Sequence, residues 1–334
     1  YYNKKTNDLL QKDYVVSSYL GYTDHELKYY NAGSLRNKGV EFRADWQALD
    51  TKDWKLKVNF NISHNENEIL SMPGYSEENY SFENGEYAMR IVSGTSVGSF
   101  FGYKYLGVYQ NTEDTYAKDA EGNVMHDLQG NPIIMSNGTY RCYPGDAKYE
   151  DLNKDGKIDK NDITYIGNSN PQLQGGGGFN LRYKNWSLTV FMHYRLGQKI
   201  VNRARMNAES MIGSDNQSTA VLRRWRNEGD DTDIPRALWD YGLNYLGSDR
   251  FVEDCSFLRL KTLSLSYNLP KTFCQNLGLT SANVYITGYD LFTITNYTGQ
   301  DPEVNLPSNV TDLAEDNSQT PRSRRVAMGV TINF

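Results

Sequence analysis

Several stretches of this chain alternate apolar and polar side chains with period two, a pattern that a helix of 3.6 residues per turn cannot place on one face. From Gly39 to Gln47, Val40, Phe42, Ala44 and Trp46 point one way while Glu41, Arg43, Asp45 and Gln47 point the other. From Trp54 to Ser63, Trp54, Leu56, Val58, Phe60 and Ile62 oppose Lys55, Lys57, Asn59, Asn61 and Ser63. Trp186, Leu188, Val190, Met192 and Tyr194 form a third apolar row, with Phe191 interrupting its polar side, and Val326, Met328, Val330, Ile332 and Phe334 form a fourth. Each predicts a strand with one greasy and one wet face. Between Ser256 and Pro270 the apolar phase slips from Leu258 and Leu260 to Leu263, Leu265 and Tyr267, which predicts a bulge or bend.

Two-faced strands suit either a membrane barrel or a soluble β-sandwich. A mean hydropathy of −0.68 and the lack of any apolar run of about 18 residues exclude a transmembrane helix, but a barrel strand needs only about ten residues, apolar on alternate positions. The connections favour the barrel. Strands near 40–47 and 54–63 are joined by a few residues, those near 175–183 and 186–196 by Lys184 and Asn185, and those near 257–269 and 283–292 by a turn holding Pro270. Long polar excursions, roughly 64–100, 111–172, 197–250 and 293–322, separate these pairs. Short turns on one side and long loops on the other are the pattern of an outer-membrane barrel with its long loops outside the cell. The 26 Tyr and 5 Trp fit aromatic girdles at a membrane interface, or surfaces on which sugars stack.

Other function classes find little support. A net charge of −6, with the local basic groups Arg223, Arg224, Arg226 and Arg322, Arg324, Arg325 short and diluted by acids, argues against nucleic acid as a partner. Cys142, Cys255 and Cys274 are an odd number without metal-ligand spacing, so no disulfide framework is implied. His25, His64, His126 and His193 are scattered, and no carboxylate pair with a defined cleft stands out, so no catalytic residue is assigned and the chain is not read as an enzyme. The run Gly175–Gly178 lacks phosphate-loop spacing and reads as a thin strand start where backbones pack closely.

One short motif carries ion chemistry. In Asp151–Asp162, Asp151, Asn153, Asp155, Asp159 and Asp162 occupy the first, third, fifth, ninth and twelfth places of a calcium loop, with Gly156 at the sharp sixth and Lys157 giving its backbone carbonyl at the seventh. Four carboxylates in twelve residues repel one another, and a hard dication removes that penalty. Asp162 is shorter than the usual closing Glu, which predicts modest affinity. The following ITYIG reads as strand, so the loop is no helix-loop-helix sensor, and a dockerin needs two such loops where one is found. The expected role of Ca2+ is structural.

In order along the chain, SLRNKGVEF (Ser34 to Phe42), SFFGYKYLGVYQ (Ser99 to Gln110), GDAKY (Gly145 to Tyr149), DLNKDGKIDKNDITYIGNSNPQ, YKNWSLTVFMHYRLGQKI, RRWRNEGDDTDIPR (Arg223 to Arg236), SFLRLKTLSLSYNLP and YTGQDPEV (Tyr297 to Val304) are similar to the C-terminal barrel region of SusC/RagA-type TonB-dependent transporters of Bacteroidetes outer membranes. The family order spans nearly the whole chain. TGYDLFTIT, Thr287 to Thr295, departs from it, since the family reads close to G-Q-N-L there.

The resemblance implies an all-β fold: an antiparallel transmembrane β-barrel, 22-stranded and plugged in the complete protein, of which residues 1–334 are the C-terminal portion with roughly a dozen strands and long extracellular loops. It also implies a plug domain and TonB-binding segment lying outside this chain, remaining barrel strands that close the wall, a SusD-like surface lipoprotein over the mouth, and import of oligosaccharides or peptides through the outer membrane, driven by TonB. The start at Tyr1, without an initiator Met or a leader pattern, is the expectation for a segment whose targeting signal lies upstream or was removed. Phe334, closing the final alternating row, is expected to act as the assembly signal read by the barrel insertion machinery. Loop aromatics, among them Tyr75, Tyr80, Trp225, Trp239, Tyr241 and Tyr245, suit sugar stacking or contact with a lid equally. The rival reading is a secreted, calcium-stabilised β-sandwich that binds glycans. An extracellular hydrolase is a third, for which no carboxylate pair is found.

Overall fold

The computed structural model describes residues 1–15, 26–31, 33–72, 86–87, 92–239, 242–303 and 313–334. Among these, eight strands form one antiparallel sheet: β1 (Tyr2–Asn7), β2 (Ser34–Asp50), β3 (Trp54–Ser71), β4 (Leu173–Tyr183), β5 (Trp186–Leu196), β6 (Phe257–Asn268), β7 (Ser281–Thr295) and β8 (Arg325–Asn333). Each pairs with its neighbour in sequence, so the sheet is a meander with β1 and β8 at its edges. The expected dozen strands are therefore eight within the described residues. They are longer than the alternating cores of the sequence, β2 and β3 reaching 17 and 18 residues.

The links alternate as expected. At one end of the sheet, 51–53, 184–185 and 269–280 join β2 to β3, β4 to β5 and β6 to β7. At the other end depart the excursions 8–33, 72–172, 197–256 and 296–324. Two details differ from the sequence reading. The link after Pro270 is no simple turn, because Lys271–Asn276 forms a short helix whose Cys274 is buried. Residues near 101–110 are not a sheet strand: Ser99–Gly102 pairs with Thr164–Asn168 and Tyr105–Val108 with Ala147–Tyr149, inside the longest excursion.

That excursion explains where the core is. The buried apolar clusters lie in the loops, not between sheet faces. One gathers Phe101, Tyr103, Tyr109, Met135, Tyr149 and Leu246, and another Phe100, Ile166, Val201, Met206, Tyr245 and Phe251. The excursions 72–172, 197–256 and 296–324 thus pack on one another as a lobe at one end of the sheet. Close packing there uses glycine: Gly145, at φ +86, holds the Trp225 ring where a Cβ would stand 2.2 Å from it, and Arg236 donates to Asp146 at 2.6 Å beside this contact. Cys142, Cys255 and Cys274 are all buried free thiols.

Candidate functional site

The sheet's two faces are the feature that requires explanation. Cross-strand register assembles the apolar rows of separate strands into continuous ladders, such as Trp46, Val58, Phe179, Val190, Leu263, Gly288 and Val326. A second ladder runs Leu49, Leu56, Leu181, Leu188, Leu265, Ile286 and Met328. Among the described residues nothing covers them. Trp46 is 67% exposed, Val326 65% and Met328 79%, an apolar expanse that a soluble monomer rarely carries. The opposite face carries Asp45, Asn59, Thr262 and Tyr289 along one row and Lys57, Asn180, Thr189, Ser264 and Thr287 along the next.

The phase slip in β6 keeps this division intact. Pairing passes from Leu260 with Met192 to Thr262 with Phe191, so Lys261 is an extra residue in the ladder. Because strand side chains alternate, one inserted residue resets the parity and returns Leu263 and Leu265 to the face of Leu258 and Leu260. On β7 the same bulge takes up Asp290 and Leu291, between the pairs Leu260 with Phe292 and Thr262 with Tyr289. Asp290 adopts φ 50, the left-handed region where Asp is among the better tolerated residues. This is where TGYDLFTIT departs from the family pattern.

Aromatics mark the short-link end. Trp54 and Tyr183 lie with ring centroids 4.2 Å apart, and Trp186 and Tyr267 at 4.6 Å, all on the apolar side. The glycine run makes room for other rings. A Cβ on Gly176 would stand 2.9 Å from the Phe191 ring, so the aromatic that breaks the polar row packs against bare backbone.

At the loop end, a charge cluster ties an excursion to the polar face. Arg259 donates to Thr293 at 2.8 Å, to Glu303 at 2.9 Å and to Asp301. Lys261 reaches Glu303 at 2.7 Å and Asp290 at 3.3 Å, and Arg322 approaches Glu303 at 3.2 Å. No sequence motif announces this cluster, whose members come from three segments.

The acidic loop lies in the lobe. Its carboxylates are turned onto backbone N–H groups: Asp151 accepts from Gly156 at 2.9 Å, Asp155 from Lys157 at 2.8 Å, and Asp159 from Asn161 at 2.8 Å. Asp162, wholly buried, accepts from Leu152 and Asp159, each at 2.8 Å. Asn153 donates to Asp155 at 3.0 Å, and Lys157 sits at the seventh place. Burial first, and then the charges of Asp151 and Asp159, push the Asp162 carboxyl above its ordinary value despite those two N–H donors. By chemistry the all-oxygen set fits a hard cation. By geometry each acid holds a backbone group, and among the described residues no three acidic, imidazole or thiol side chains are grouped as a metal site.

Of the other residues singled out, Phe334 follows β8 and is 91% exposed, continuing the apolar row of Val330 and Ile332. Glu41, Arg43, Lys55 and Lys57 lie on the polar face, with Arg43 bonded to Asp45 at 2.8 Å and Lys55 to Asp50 at 2.9 Å. Trp239 is exposed, Tyr245 is buried, and Tyr75, Tyr80, Tyr241 and His25 lie outside the described residues.

No family model matches the chain. Over its whole length it is 30% identical to TonB-dependent receptor P3 of Formosa agariphila and 27% identical to TonB-dependent receptor SusC of Bacteroides thetaiotaomicron. It covers 32% and 29% of those two proteins, so it spans about a third of the curated relatives it matches. Among solved structures it resembles the RagAB peptide transporter with a TM-score of 0.69 and 25% identity, over 99% of this chain and 32% of that one. Ladder, links and relatives agree: along its whole length the chain is similar to SusC/RagA-type TonB-dependent receptors.

Proposed function

We propose that this chain forms part of the wall of a 22-stranded, plugged outer-membrane barrel that imports oligosaccharides or peptides with energy relayed by TonB. The observation that carries the reading is the uncovered apolar ladder from Trp46 to Val326 and from Leu49 to Met328, backed by a polar face. An uncovered sandwich face is costly in water, whereas acyl chains accept it on one side while a hydrated pore accepts the other. The open edges of β1 and β8 call for further strands, since unpaired backbone groups are not tolerated in lipid. The lobe of long excursions then faces outward, where a SusD-like lipoprotein would meet it, and the Trp54, Tyr183, Trp186 and Tyr267 pairs sit at the opposite, short-link interface.

Calcium is proposed as a brace for loop 151–162, supplied with oxygens by Asp151, Asn153, Asp155, Lys157, Asp159 and Asp162, and Phe334 as part of the signal for barrel insertion. What supports the first is the buried, like-charged setting of Asp162. Neither role breaks a bond, and no catalytic residue is proposed. Uptake by cells carrying the complete receptor, with labelled oligosaccharides in one arm and labelled peptides in the other, tests the import reading. Energy-dependent accumulation of either supports it, and accumulation of neither, with the barrel folded in the membrane, overturns it.

A further inference from the structure

The lobe holds a cleft with about 540 Å³ of free space, part of it open to solvent. Its floor is apolar and aromatic, from the buried Tyr109, Met135 and Tyr149. Charged side chains line the rest, and their partners decide what the cleft can bind. Asp114 is occupied by Lys148 and by the N–H of Gln110 at 3.1 Å. Glu150 holds Lys104 at 2.9 Å. Asp151 accepts the N–H groups of Gly156 at 2.9 Å and Asp155 at 3.3 Å. Every acid in the lining is thus spent within the protein.

The cations are not. Lys148 is bound to Asp114 and lies 5.5 Å from the centre of the Tyr109 ring, but among the described residues Lys118 and Lys154 meet no carboxylate. Lys154 also adopts φ 57, a left-handed conformation that costs a residue with a Cβ about 1 kcal/mol. Together with Asp151 it brings the acidic loop to the cleft wall.

We infer that this cleft is a binding site for a carboxylate-bearing ligand, held by charge-assisted hydrogen bonds from Lys118 and Lys154 over the floor of Tyr109, Met135 and Tyr149. A carboxylate matches two unspent ammonium groups, each able to donate a charge-assisted hydrogen bond. The carboxylate could belong to a uronic acid unit or to an acidic peptide. Its use in uptake rests on the import reading, but binding itself does not.

The test is calorimetry on the complete receptor in detergent. The probes are a uronic acid trisaccharide, its neutral counterpart and a short Glu-rich peptide. At least one acidic probe should bind, more weakly as salt rises, and the neutral sugar should not. Lys118→Gln and Lys154→Gln should each lower acidic-probe affinity about tenfold. Both variants should keep the native melting temperature, since among the described residues neither lysine side chain makes an ion pair or hydrogen bond and the Lys118 bridge to Val124 is backbone. Binding of the uronate alone identifies a sugar source and of the peptide alone a peptide source. Failure of both acidic probes, equal binding of the neutral sugar, or unchanged affinity in both variants overturns the inference. Loss of uptake with binding retained counts against import and leaves the cleft standing.

Discussion

Arg259 on β6 holds Asp301, which lies beyond the end of β7, so the excursion 296–324 is tied back to the polar face of the sheet by a guanidinium only 3% exposed. Burial alone would raise the Asp301 carboxyl. Arg259 and the N–H groups of Arg322 and Glu303 outweigh it and hold the group below its ordinary 3.8. A carboxyl depressed in the fold contributes stability above its ordinary pKa and loses it as pH falls through the folded value. Asp301→Asn should therefore cost about 3–5 kcal/mol at neutral pH, the scale for breaking one side of a buried pair. In thermal unfolding at a series of pH values, the gap between native and variant should be wide at neutral pH and close below about pH 4. A gap that persists unchanged in acid contradicts the assignment.

The exposed ladder predicts an asymmetry between faces. Leu265→Arg, on the apolar side, should destabilise the membrane-embedded receptor by about 2–4 kcal/mol, as a cation does near the bilayer midplane. Asn59→Arg, exposed on the polar face, should stay within about 0.5 kcal/mol of native. Urea unfolding from vesicles measures both, and equal costs would remove the distinction between the faces.

Gly178 faces a tight site. A Cβ there would stand 2.1 Å from the Val190 carbonyl oxygen, which is ladder backbone and cannot turn aside. Gly178→Val should cost about 1–3 kcal/mol as an overpacked position. An unfolding midpoint equal to native would mean that the strands separate more easily than the register implies.

For the acidic loop, saturating calcium at about 100 times its dissociation constant should stabilise by about 2.7 kcal/mol, and a chelator should reverse this. Asp162→Asn should abolish the response. If the melting temperature is the same in calcium and in chelator, the backbone hydrogen bonds close the loop unaided and the calcium proposal falls.

Phe334→Ala in the complete receptor should lower the heat-modifiable, membrane-inserted fraction on gels while leaving total expression unchanged. An unaltered inserted fraction would leave Phe334 as an ordinary end of the exposed row.

The wall was legible in the sequence because a repeat of two, sustained over ten residues, has one structural meaning. Trp54 to Ile62 and Trp186 to Tyr194 needed nothing else, and even the slip at Lys261 was visible, though not that Asp290 shares it. The lobe was not legible. Between residues 72 and 324 its strands run two to five residues and are buried by distant segments, as Tyr103 is by Leu246, so no periodicity survives to be read. SFFGYKYLGVYQ looks like wall strand by composition, yet its Phe100 and Phe101 are buried in two different loop cores. The six-residue helix after Pro270 carries no N-terminal cap hydrogen bond and no full amphipathic turn to announce it. The Arg259 cluster draws on positions up to 63 apart in sequence, Arg259 to Arg322, and only the folded excursion brings them together.

The central claim is that one face of this sheet meets lipid and the other meets water. Single cysteines at Leu56, Ile286 and Met328, and at Asn59, Ser264 and Ala327, each carrying an environment-sensitive fluorophore, can be read in vesicles containing nitroxide-labelled lipid. The account predicts strong quenching at the first three and weak quenching at the second. Similar quenching on both faces, or none at Leu56, Ile286 and Met328, would contradict it.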